Sequence, residues 1–104
     1  MNIDTQKQHF DNTIAVMRDI MFKKGNDYAG QDRLSNFKHG GAICGISAEQ
    51  HCLALIATKV ARLGSLLSSG KTPNNESIND SCIDLANYAL LLDMILSDKS
   101  VESA

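Results

Sequence analysis

The chain has 104 residues, 43% of them hydrophobic, 5% aromatic and none Trp, so it forms one domain whose core is built from Leu, Ile, Met, Ala and Val. A net charge of −2 provides no general attraction for duplex nucleic acid, and no cluster of Lys or Arg tracks a phosphate backbone. The polar start MNIDTQKQ lacks the basic and apolar regions of a signal peptide. No apolar run approaches the roughly 20 residues that cross a bilayer, so a cytoplasmic protein without membrane partners is expected.

In chain order, Phe10, Ile14, Met17 and Met21 fall at intervals of four, three and four, which predicts an amphipathic helix from Asp4 to Lys24 with Gly25 just beyond it. Five of the seven glycines then fall between Gly25 and Gly45, interleaved with polar residues. That segment reads as a loop with one short helix around Leu34 to His39. Tyr28, Asn36 and Phe37, with Asn26 and Asp27, give it the composition of a pocket for a base or a sugar. An ordinary connector anchored by Phe37 is the plainer reading.

Ser47 followed by Gln50 is a capping box, and the helix it opens should end at Ser68 or Ser69 before Gly70. Ala48, Cys52, Leu55, Ile56, Leu63 and Leu66 share one stripe of that helix, and Lys59 sits at its centre. A cation in that position must be paired or aimed at something. The linker from Gly70 to Asn74 carries the only proline, and Asn75 or Ser77 can cap a last helix reaching about Ser97. Residues 98–104 read as a frayed tail.

Glu76, Asp80 and Asp84 recur every fourth residue of the last helix, so they stack in one column. Opposite Lys59 and Arg62, that column would form a basic and acidic seam between two antiparallel helices. A buried ion-pair network that only fixes helix register is the bland alternative. If the seam is functional, Lys59 and Arg62 meet a phosphate, and Glu76, Asp80 and Asp84 orient those cations or hold Mg2+. Tyr28, Asn36 and Asn87 would then contact base or sugar.

The last helix also carries a core stripe, Ile78, Cys82, Leu85, Ala89, Leu92 and Leu96, and a second apolar side at Leu91, Met94 and Ile95. That second side predicts a homo-oligomer, a dimer or higher, joined through it. Three cysteines without CxxC spacing read as reduced, with two of them buried, and three scattered histidines read as surface or satisfied groups. No nucleophile stands in an activating context. The fold expected is all-α, three long helices with a short helix in a glycine-rich loop.

Five short runs allow a comparison. Lys24-Gly25-Asn26-Asp27-Tyr28-Ala29-Gly30, Asn36-Phe37, Lys59-Val60-Ala61-Arg62-Leu63, Glu76-Ser77-Ile78-Asn79-Asp80 and Asp84-Leu85-Ala86-Asn87-Tyr88-Ala89 together resemble the phage-associated family named nucleotide modification associated domain, type one. The likeness covers about Phe22 to Leu92. It implies a small, mostly helical phage or prophage protein, in the host cytoplasm, connected with nucleotide metabolism or DNA modification, and it carries over no catalytic residue.

More distantly, the acidic column is similar to those of MazG-type all-α nucleoside triphosphate pyrophosphatases, which bind Mg2+ between carboxylates on two helices. Here the first acidic pair is missing: the helix from Ser47 offers Glu49, with Lys59 and Arg62 where acids would stand. Binding of a nucleotide or nucleotide-derived molecule is therefore the expected function. A metal-dependent pyrophosphohydrolase and an inhibitor of a protein partner are the alternatives.

Overall fold

The computed structural model describes residues 1–23, 32–69 and 75–103, without the side chains of residues 23, 75–77 and 100–103. Its elements are α1 (Ile3–Lys23), α2 (Ser35–Cys44), α3 (Ala48–Ser68) and α4 (Asn75–Ser103), with no strand among the described residues. This is the expected all-α arrangement of three long helices and one short one. None of the described helices is long and apolar enough to cross a membrane.

Local chemistry sets most boundaries. At the start of α1, Asn2 Oδ1 accepts the Thr5 amide at 2.9 Å, and Asp4 complements the positive end of the helix dipole. Asp32 prepares α2 by accepting the Leu34 amide at 3.0 Å on Oδ1 and the Ser35 amide on its carbonyl. Ser47 and Gln50 form the capping box reciprocally, at 3.1 and 2.9 Å. The end of α3 at Ser68 is the one the sequence predicts.

α2 corrects its predicted end, running to Cys44 rather than His39. Two consecutive glycines weaken a helix when only backbone freedom is considered, yet here they permit close approach. A Cβ on Gly40 would lie 2.5 Å from His51 Nε2, and one on Gly41 would lie 2.8 Å from the carbonyl oxygens of Ile46 and Ser47. The helix stops at Gly45, whose φ of 71° is the left-handed cap. Ile46 and Gly45 donate to the Gly41 and Ala42 carbonyls at 2.9 and 3.2 Å.

The core gathers Leu34 and Phe37 of the α2 region, Cys52 of α3 and Ile95 of α4, with Leu55, Ile56, Tyr88, Leu91 and Leu92 around them. α3 lies along α4, α2 packs on α3, and α1 meets α4. The predicted α3 stripe is buried or half-buried throughout. That of α1 is buried only at Met17, while Phe10 remains 62% exposed.

α4 differs most from expectation. Cys82, Ala89 and Leu96 of the predicted core stripe are exposed, whereas Asn87 and Ile95 are buried and Asp84, Tyr88 and Leu91 half-buried. The face assigned to a second subunit is instead the one α4 turns toward its own core. Burying Leu91 and Ile95 removes more apolar area than burying Cys82 and Ala89 would, and the same rotation sets Asp84 opposite Lys59. Of the expected oligomer surface, Ile95 is buried in the chain's own core and Leu91 half-buried, while Met94 stays 39% exposed. Of the two cysteines on predicted apolar stripes, Cys52 is buried and Cys82 is not; Cys44 is exposed, and all three are free.

The last helix also passes its predicted end at Ser97 and reaches Ser103. Lys38 bridges Asp32 at 2.6 Å and Asp98 at 3.2 Å, and Lys99 meets Glu49 at 2.5 Å. These pairs tie the end of α4 to Lys38 within α2 and to Glu49 at the start of α3, and the tail predicted to fray is helical through Ser103.

Candidate functional site

Lys59 projects from the apolar stripe of α3 and places Nζ 3.0 Å from Asp84 Oδ2, with the two side chains 26% and 39% exposed. Among the described residues, the seam expected from the sequence comes down to this one pair. Arg62 and Asp80 are exposed and hold no ion pair among the described residues. Tyr28 and the side chain of Glu76 lie outside the described residues, as does the proposed cap at Asn75 or Ser77.

The described carboxylates do not fit a divalent cation. Asp84 is occupied by Lys59, and no three His, Cys, Asp or Glu side chains converge among the described residues. A metal held by the column would have to displace an ammonium group from its best-placed ligand.

A concavity of about 680 Å3 lies beside this pair, between the carboxyl-terminal part of α1, the α2 region, the first half of α3 and α4. That volume suits a nucleotide-sized molecule. Asp84, Asn87 and Asn36 line it, three of the residues the sequence singles out; Lys59, Arg62 and Asp80 do not. Phe22, Phe37 and Tyr88 contribute rings, and Leu55, Leu91 and Met94 an apolar floor. Phe37 and Tyr88 meet edge to face, with centroids 6.4 Å apart and planes at 85°.

The decisive side chain is Asn87. It is 6% exposed, and its Nδ2 donates to the Met17 carbonyl of α1 at 3.3 Å. Because a carbonyl can only accept, that bond fixes the orientation of the amide. Oδ1 is left buried and without a partner among the described residues. An orphaned buried acceptor costs roughly 1–3 kcal/mol, and Asn87 is a residue of the cleft lining that carries one.

Two further polar groups line the cleft that sequence reasoning had not placed there. Arg33 donates from Nη2 to the Met21 carbonyl at 3.0 Å, which anchors the guanidinium beside the end of α1. His51, read as a surface or satisfied residue, has its ring against Gly40 and faces the same space. Neither had a periodic signal, although Arg33 stands one helical turn before Asn36 and Phe37.

No Ser, Thr or Cys belongs to the described lining. Cys52, behind it, has its thiol pushed up by burial and donates to the Tyr88 carbonyl at 3.5 Å.

Fold and cleft together define a small all-α protein with a cleft of ligand size lined by residues of all four helices. No protein-family model, no curated protein and no solved structure matches the chain.

Proposed function

We propose that the protein binds a nucleotide or a nucleotide-derived small molecule in the cleft between α1, α2 and α4. The observation that carries this reading is the Asn87 Oδ1, an acceptor oriented by the bond to Met17 and without a partner among the described residues, in a residue lining a wall that also bears rings. Stacking on Phe37 or Tyr88 would supply affinity for any base, and the amide oxygen would select one that offers an N–H or O–H donor. Arg33 is the cation on this lining suited to a phosphate. Lys59 acts one step back in this proposal: its ammonium holds Asp84 in place, while the other carboxylate oxygen can accept from a sugar hydroxyl.

The reading agrees with the resemblance to the nucleotide modification associated domain family, type one, and with a phage or prophage protein of the host cytoplasm. It gives Arg62 and Asp80 no part in the ligand.

The test is Asn87→Leu. Replacing the orphaned amide by an apolar group of similar size removes an unsatisfied buried acceptor, and the Met17 carbonyl belongs to α1 throughout. The variant is expected to be as stable as the parent, or more so by up to about 1 kcal/mol, and to lose most of its affinity in a nucleotide thermal-shift screen with and without Mg2+. A markedly destabilised variant, or one that keeps full affinity, would make Asn87 a structural residue and end the assignment.

A further inference from the structure

Two apolar surfaces are exposed among the described residues. In α1, no residue from Ile3 to Val16 is buried and only Thr13 reaches half-burial. Ile3, Phe10 and Ile14, exposed by 60%, 62% and 42%, extend the ridge that Met17 and Met21 begin. A helix of this length without packing is marginal in water.

On α3, Leu53, Val60 and Leu67 are exposed by 56%, 52% and 68%. Ala57 and Gly64 stand between them, also exposed, so the five positions follow one another at intervals of four, three, four and three. That is the spacing of a helix-pairing seam. It flanks the stripe taken by α4, and a Cβ on Gly64 would meet nothing within 4 Å.

The whole chain shows the same deficit. A compact monomer of 11.3 kDa exposes about 5,700 Å2. This one exposes 7676 Å2. That area covers all 104 residues, and the excess, about 2,000 Å2, leaves room for the roughly 800 Å2 that each partner contributes to a standard interface. The radius of gyration is 16.1 Å, where about 13 Å is typical for this length.

We infer that a second copy of the chain covers both surfaces. The ridge Ile3, Phe10 and Ile14 of each protomer lies on the seam Leu53, Val60 and Leu67 of the other, twice, about a two-fold axis. The lengths agree, roughly 17 Å of ridge against 21 Å of seam at 1.5 Å per residue. Phe10 needs room, and the small residues Ala57 and Gly64 provide it. Pairing α1 with α1 would leave the seam on α3 bare, whereas the reciprocal contact covers both faces with a single interface. This dimer stands independently of the ligand in the cleft.

Sedimentation or light scattering on the full chain should give twice 11.3 kDa. Phe10→Lys and Val60→Glu should each weaken dimerisation by roughly tenfold or more. Both changes in one chain should recover part of that loss, because each new lysine then faces a new glutamate across the axis. Both side chains are more than half exposed, so unchanged circular dichroism is expected. Should either variant lose helical content, the mass of the unaltered chain still decides whether a second copy is bound. A monomer at every concentration overturns the inference. A dimer indifferent to both changes, or a double variant that recovers nothing, overturns the pairing of α1 with α3.

Discussion

Lys59 and Asp84 show how a single misplaced residue can be read forward. A cation in an apolar stripe is tolerated when a carboxylate is delivered to it, and the four-residue recurrence on α4 supplies one at 3.0 Å. Both side chains keep some access to water, so the coupling is modest. A double-mutant cycle with Lys59→Met and Asp84→Asn should return about 0.5–1 kcal/mol, and a coupling near zero in thermal unfolding would make the pair incidental. The glycines of α2 make a sharper contrast. At Gly40 an added methyl meets the tip of a histidine side chain, which can turn away, but at Gly41 it meets two backbone carbonyls, which cannot. Gly41→Ala should therefore cost more stability than Gly40→Ala, roughly 2–4 against 1–2 kcal/mol in denaturant unfolding, and the reverse order would contradict the packing at this corner.

Among the elements, α4 carries both the site and the largest misreading. Its apolar residues run nearly all round the helix, so periodicity alone offers two inward faces of equal standing. The choice between them is made by Lys59 and by the burial of Leu91 and Ile95, which are tertiary facts. The far end of α4 depends on charge. The hydrogen bond from Lys38, aided by the Leu34 amide, holds Asp32 below the usual carboxylate range, and Lys99 does the same for Glu49. Groups with depressed folded values stabilise above the ordinary range and lose that contribution as pH falls through the lower value. Glu49 is the shifted carboxylate that bonds α4, so amides of residues 98–103 should stay protected from hydrogen exchange near neutral pH and open as the pH falls below the ordinary carboxylate range, before the rest of α4. Lys38→Met should open them at neutral pH; equal protection in parent and variant would contradict the tie.

For the molecule as a whole, the legible part was whatever one helix could announce by itself. The capping box of Ser47 and Gln50, the α3 stripe and the helical class follow from local spacing and were readable in the chain. Of the cleft, Asn36, Asp84 and Asn87 were readable from their residue types on predicted helices. Arg33 and His51 were not, because they acquire meaning only when α2 swings against α1 and α3, and no periodic pattern records that approach. The second-subunit surface was sought on α4 for the same reason: an uncovered face is visible in a sequence only when the covered one is known. The central claim is that the amide of Asn87 receives a nucleotide donor in this cleft. An amide-proton NMR titration of the full chain with nucleotides tests it directly. The account predicts saturable shifts at the Asn87 side chain and its neighbours Phe37 and Tyr88, absent in Asn87→Leu; shifts confined to Lys59 and Arg62, or no shifts with any nucleotide, would contradict it.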